Sequence, residues 1–279
     1  MLAATGYGIV ALWGSWWAVP LYLANGAVMW GLGYAGQHEL IHRTAFRTRW
    51  VNDALAHLPG FLRFFPSDYQ RAWHFVHHRY TKDPERDSEL IGTPPWTLGR
   101  YLWFLTGLGY WRARLATLAR FARGRVDETY YTDRERVRLA RETRCYIAGY
   151  AVVLALVLLV EPWALVMLWP GPLLATTPFF QFYTAAEHHG RPNVRDMFEN
   201  TRTTRTGPVI RWIMWNMPYH TEHHLFPGVP FHALPALCRE LRESATAKAE
   251  SNVIARGYFA VHRELVRGLL RRDPVFALS

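Results

Sequence analysis

The chain has 279 residues, half of them hydrophobic, and its 17 Pro and 20 Gly are too few for a disordered or collagen-like protein. Its 32 Lys and Arg against 22 Asp and Glu give a formal net charge of +10, yet no groove-reading module or base-stacking sheet pattern accompanies the charge, which argues against nucleic acid as the partner. A mean hydropathy of −0.09 leaves the solvent open, and the placement of the cations settles it.

No Lys or Arg lies between Met1 and His42 or between Cys145 and Gly190, so two cation-free apolar tracts alternate with two basic blocks. A bilayer imposes this pattern, because a charge near its centre costs several kcal/mol while Lys and Arg collect on the cytoplasmic side. Met1-Leu2-Ala3 lacks the positive start of a secretory signal, so no cleavage is expected. The first tract, residues 1–42, predicts a helical hairpin turning near Ser15 to Pro20, with one longer tilted helix as the competing arrangement. In the basic region, residues 43–144, the stretch Trp96 to Arg123 sets Trp103, Phe104, Trp111 and Phe121 among five Arg, the composition of a helix lying in the headgroup region. Asp127 to Arg144 is dense in alternating charge and reads as a solvated helix leading into the next span. The second tract, residues 145–187, predicts spans over Tyr146 to Val160 and Trp163 to Tyr183 about a turn at Glu161-Pro162. Residues 188–279 form a basic C-terminal region containing the polar run Asn200 to Arg205, which suits either a headgroup or carrier contact or a solvated loop. The expectation is therefore one all-α integral membrane domain with about four transmembrane helices in two hairpins and a helical cap on the cytoplasmic side of the cell's inner membrane. Cys145 and Cys238 have no ligand spacing and read as two unpaired thiols.

The chemistry lies in the histidines. Ten of the 13 fall into four groups: His38 and His42; His74, His77 and His78; His188 and His189; His220, His223 and His224. Residues three or four apart share a helix face, so each spaced group is expected to present its imidazoles toward one point. Neutral imidazole is the commonest metal ligand, and burying this many imidazoles without a metal would leave polar groups unpaired. One four-coordinate zinc cannot absorb them, whereas two metals with open positions can. By donor softness alone Fe, Zn, Cu and Ni all qualify. His38-Glu39-Leu40-Ile41-His42 also satisfies H-E-x-x-H, the zinc protease helix, but that reading leaves both H-x-x-H-H groups unexplained.

HELIHRT, WHFVHHRYTKDPERD, AEHHG and NMPYHTEHHLFPGVPFHALP together resemble the histidine boxes of the membrane fatty acid desaturase and hydroxylase superfamily, and the resemblance runs from about Gly33 to Leu237. It implies a non-haem di-iron site, two Fe ions held by His38, His42, His74, His77, His78, His220, His223 and His224, with His188 preferred over His189 as the ninth ligand. It further implies O2-dependent oxidation of an unactivated C–H bond in a fatty-acyl or lipid-like substrate. Desaturation leads, and hydroxylation of a lipid, carotenoid-like or specialised-metabolite substrate is the alternative.

Metal-bound His commonly gives its second ring N–H to a carboxylate, which makes Glu39, Asp83, Asp87, Glu187 and Glu222 candidates for orienting the imidazoles. For Asp83 and Asp87 a loop ion pair with Arg79 or Arg86 is an equal reading, and Asn216, four residues before His220, is a candidate amide beside the centre. No CxxC pair, four-Cys set or G-x-G-x-x-G fingerprint is present, so electrons are expected from a separate ferredoxin or rubredoxin with its reductase, steered in by the basic face. Aromatic walls for a substrate slot are expected from Trp13 to Trp30 or from Pro178 to Tyr183.

Overall fold

The computed structural model describes residues 1–244 and 253–277, so parts of the expected C-terminal region, residues 245–252 and 278–279, lie outside the described residues. Helices α1 (Leu2–Ala11) and α2 (Ala18–Trp30) form an antiparallel hairpin around Gly14, whose φ of 86° suits glycine. Thr5 Oγ1 donates to Asn25 Oδ1 at 2.6 Å across it, which satisfies two buried polar groups. α1 has ten residues and reaches about 15 Å, half the ~30 Å hydrocarbon thickness of a bilayer, so the first arm is not a full-length span. α2 instead runs on through a π-helical segment, Gly31–Gly36, into α3 (Gln37–His42), which makes one apolar rod of residues 18–42.

Five helices follow in the first basic region before the long one, the first four being α4 (Arg49–Leu55), α5 (His57–Leu62), α6 (Ser67–Tyr80) and α7 (Leu98–Leu105). α8 (Leu108–Ala122) continues α7 after a break at Gly107, where φ is 73° and a Cβ would lie 2.2 Å from Thr177 Cγ2. The expected single headgroup helix is therefore two. Tyr101 and Phe121 face inward while Leu102, Trp103, Leu108 and Leu115 stay exposed.

α9 (Asp133–Val160) starts at a capping box, with Thr132 Oγ1 accepting from Glu135 N and the Glu135 carboxylate accepting from Thr132 N. Its 28 residues join the charged helix and the apolar span without interruption, and among the described residues it is the one helix long and apolar enough to cross a membrane. Leu159 and Val160 are 84% and 82% exposed, apolar surface that lipid would cover. After the turn at residues 161–163, α10 (Ala164–Leu168) breaks at Trp169 and α11 (Pro170–His188) returns, so the expected fourth arm is two helices. α11 packs along α2, where Trp30 and Phe180 stack with centroids 3.9 Å apart.

The C-terminal region contributes α12 (Met197–Asn200), α13 (Pro208–Ile213), α14 (His220–Leu225), α15 (Leu234–Glu243), α16 (Tyr258–Leu270) and α17 (Pro274–Ala277). A two-residue parallel pair, β1 (Thr203–Thr204) with β2 (Ile254–Ala255), ties its middle to its end. The polar run is neither a solvated loop nor an exposed headgroup contact. Asn200 to Thr204 are buried, and Arg202 Nη1 donates to the carbonyls of Ala186 and His189 at 3.0 and 2.9 Å. The reason is accounting: those helix-end carbonyls are orphan acceptors, and the run supplies their donors.

Gly26 marks the closest approach of α2 to α11, where a Cβ would lie 2.4 Å from the Pro172 carbonyl oxygen. Gly26→Val should lower unfolding stability by about 1–3 kcal/mol, the ordinary cost of overpacking. Gly207→Ala, with open space around its Cβ position and helix-compatible φ, should leave the detergent-solubilised midpoint unchanged.

Candidate metal centre

Nine buried or half-buried imidazoles meet where α3, α6, α11 and α14 converge. They divide into two sets, His38, His42, His74, His78 and His223, and His77, His188, His220 and His224, with one ring nitrogen from each residue lying within 4.8 Å of all the others in its set. The division cuts through both H-x-x-H-H groups, and the expectation that each group points at one place is corrected. On α6, His74 and His78 enter the five-histidine set while His77 enters the other; on α14, His220 and His224 enter the four-histidine set while His223 crosses to the first. Helix geometry explains this: at ~100° per residue, positions i and i+4 diverge by only ~40°, whereas i+3 and i+4 diverge by ~100°. The sets abut, with the rings of His78 and His224 stacked at 4.3 Å.

Within each set the Nε2 atoms face one another. In the first, His42–His74, His74–His78 and His78–His223 approach at 3.0, 2.9 and 3.0 Å. In the second, His77–His188, His188–His220 and His220–His224 approach at 3.3, 2.8 and 3.1 Å. A ring nitrogen offers one proton or one in-plane lone pair, so His74 Nε2 cannot serve two facing nitrogens through its single site. A shared cation can. Two nitrogens at right angles on a metal with ~2.1 Å bonds lie ~3.0 Å apart, as these do. His38 fits the same account, since neither of its ring nitrogens has a hydrogen-bond partner although the residue is 1% exposed. Burial also holds His74, His78, His223 and His224 far below the usual imidazole range, in the neutral form that binds metal. The residues therefore fit two metal ions, one per set.

The opposite ring edges are anchored, which aims Nε2 inward. His77 Nδ1 donates to Asp87 Oδ1 at 2.9 Å, and Asp87 is itself fixed by the backbone N–H groups of Lys82 and Glu89. Burial alone would disfavour the His77 imidazolium, but Asp87 and Glu89 outweigh it and raise its pKa to about 9. His188 Nδ1 reaches the Asn200 carbonyl at 3.2 Å and His224 Nδ1 reaches Thr81 Oγ1 at 3.3 Å. Glu187 lies 3.7 Å from His220 Nδ1 and is held by Tyr34 Oη at 2.7 Å.

Other sequence candidates fall elsewhere. Glu39 accepts from Phe231 N at 3.1 Å and so ties a distant loop to α3. Asn216 donates to the Phe231 carbonyl at 3.2 Å, and Glu222 accepts from Thr203 Oγ1 at 2.5 Å. These three brace the frame that carries the boxes. Asp83 pairs with Arg86 at the surface, unlike Asp87. His189 packs against Trp96 and Phe104, outside both sets. Thr81 and Asn200 were not foreseen: Thr81 stands four residues after His77, but its bond to His224 spans 143 positions and has no local signal.

A cavity of about 660 Å3 opens beside the two sets, lined by His38, His74, His77, His188 and His220 on one side. Its aromatic walls come from Trp73, Trp103, Phe104, Tyr110 and Phe180. Phe180 lies in the expected tract, whereas the others come from the basic region and none from Trp13 to Trp30.

A fatty acid desaturase family model matches residues 14–253. The chain belongs to the fatty acid desaturase family. It is 24% identical to an sn-1 oleoyl-lipid 12-desaturase of Synechocystis sp., covering 86% of this chain and 73% of that protein. A chloroplastic sn-2 acyl-lipid omega-3 desaturase (ferredoxin) of Arabidopsis thaliana is 25% identical, over 79% of this chain and 54% of its own length. A dihydrorhizobitoxine desaturase of Bradyrhizobium elkanii is 27% identical, over 79% and 66%. As a member of this family the chain is a desaturase-like oxidoreductase.

Asp87→Ala should weaken metal retention about 10- to 100-fold, the usual effect of losing a carboxylate behind a ligating His. Asp83→Ala should leave it unchanged. Metal remaining after dialysis against graded chelator measures both.

Proposed function

We propose that the protein is an O2-dependent di-iron membrane oxidoreductase that desaturates an unactivated C–C bond, with the five- and four-histidine sets each holding one iron. The observation that carries this reading is the convergence of nine imidazoles into two sets beside an aromatic-walled cavity. Iron in such a site supplies the O2-dependent C–H oxidation that redox-inert zinc cannot. The balance is fixed: a –CH2–CH2– unit loses two hydrogens to become –CH=CH–, and O2 with two further electrons and two protons becomes two waters. Those electrons come from a separate carrier, a ferredoxin or rubredoxin; the ferredoxin in the name of the Arabidopsis relative supports the first.

The chain's own residues set the frame for that reaction. His77 with Asp87, His188 with Asn200 and His224 with Thr81 hold the imidazoles in orientation. The aromatic cavity walls align one carbon of the substrate, and such positioning supplies much of an enzyme's rate. We read the rod of residues 18–42, the apolar half of α9, and α11 as membrane-crossing elements, with α1 and α10 completing two hairpins of one membrane-embedded domain. The cation-free tracts then lie in lipid, and the basic regions with the histidine sets lie on the cytoplasmic side of the inner membrane.

Protein purified in detergent from iron-supplemented cells should contain about two irons per chain, one for each imidazole set. His223→Ala removes a donor from the five-histidine set and His77→Ala one from the four-histidine set. Each should reduce the iron content toward one and abolish product formation with ferredoxin, its reductase and O2. A single zinc with no iron, and activity restored by zinc after chelation, would overturn the reading.

A further inference from the structure

Arg63 is the charged group that the oxidation chemistry leaves unused. It lines the cavity, is 3% exposed, and forms no ion pair with any carboxylate among the described residues. Its Nη2 donates to Gln37 Oε1 at 3.1 Å and Gln70 Oε1 at 2.8 Å, while its buried Nε has no hydrogen-bond partner. Burial lowers its pKa to about 10, which still leaves a cation at neutral pH. Arg114 stands on the same wall with its guanidinium 3.4 Å from the Phe65 ring centroid, and its buried Nε is likewise unpartnered. The cavity's acids are engaged with other groups: Glu89 lies 3.9 Å from His77 Nδ1, and Glu187 accepts from Tyr34, whose ring centroid is 5.8 Å from the Arg63 guanidinium carbon.

The position of this cation is set by the elements that carry the metal ligands. Gln37 immediately precedes His38, and Gln70 stands four residues before His74, so the Arg63 fork is tied to two of the helices that carry the five-histidine set. An apolar chain laid against Arg63 would strip water from a guanidinium and return no hydrogen bond. A carboxylate returns an acceptor to the unpartnered Nε–H and a counter-charge to the guanidinium, whose Nη2 protons already go to Gln37 and Gln70.

We propose that the cavity recognises the free carboxylate of an acid, which Arg63 and Arg114 hold on the wall of the cavity that the imidazole sets also line. This rests on the oxidative reading above, whose electron and proton balance the carboxylate does not enter. It favours a free acid over an acyl chain esterified in a membrane lipid, whose carbonyl end bears no charge.

The test is calorimetric binding of hexanoate and of methyl hexanoate to the iron-loaded full chain in nanodiscs. Wild-type protein should bind the acid about 10- to 100-fold more tightly than the ester, the range for a hydrogen-bonded charged group. Arg63→Met should erase that preference, and Arg114→Gln should reduce it. The wild-type comparison stands even where Arg63→Met fails to fold, and equal or tighter binding of the ester overturns the proposal. So does inorganic phosphate displacing hexanoate at equal concentration, which would assign the cations to a phosphate headgroup. Oxidation of oleoyl phosphatidylcholine at equal rates by wild type and Arg63→Met overturns the carboxylate assignment while leaving the di-iron reading intact. Arg63-dependent hexanoate binding with neither compound oxidised upholds the carboxylate site and counts against the oxidative reading instead.

Discussion

Bringing nine imidazoles into two buried sets, with one ring nitrogen of each within 4.8 Å of the others in its set, is the constraint on which the rest of the structure depends. Each Nε2 has a single site, and several face two neighbours, so proton sharing cannot satisfy them. Without a cation the arrangement carries the full desolvation penalty of buried polar atoms. The frame around it is correspondingly rigid. Asp87, Asn200 and Thr81 hold three rings from behind, and Asn200 in turn donates to the carbonyls of Thr81 and Val194. The polar interior is thus a linked network, and its members are buried because the rings they orient are buried.

The helices supply this constraint by mixing local and distant geometry. Spacing by four delivers pairs of imidazoles to one set, and the extra histidine of each H-x-x-H-H group is thrown to the other. α6 and α14 therefore each stitch the two sets together, and neither set is assembled from one hairpin alone. The apolar part of the chain acts as the fixed support. Close approach of α2 and α11 at Gly26, with Trp30 stacked on Phe180, sets the separation between the rod that carries His38 and His42 and the helix that ends at His188.

The cavity beside the sets has an uneven character. Its aromatic walls suit an apolar chain, yet it also holds two guanidinium groups that form no ion pair among the described residues, together with Glu89 and Glu187. The relatives include two desaturases named for acyl lipids and one named for dihydrorhizobitoxine. Family membership thus fixes the class of chemistry, while the charge in this cavity bears on the substrate.

Much of this was legible in the chain itself. The cation-free tracts mark the apolar elements because a charge in lipid is costly wherever it sits, a property of composition and not of packing. The nine histidines announce a metal centre through local spacing, since i, i+4 neighbours on a helix meet regardless of what lies around it. Local information ends there. The lengths of the arms, with α1 at only ten residues and the fourth arm broken at Trp169, depend on how each helix packs against its neighbours. The roles of the acids divide in the same way: Asp87 lies near its ring in sequence, whereas Glu39 finds Phe231 across 192 positions. The sequence by itself determined the apolar tracts, the ligand residue types and the family. Only the tertiary structure decided which imidazole joins which set, which carboxylate orients a ring and where the cavity's unpaired charge stands. Those outcomes depend on contacts between residues far apart in the chain, and local propensity carries no information about them.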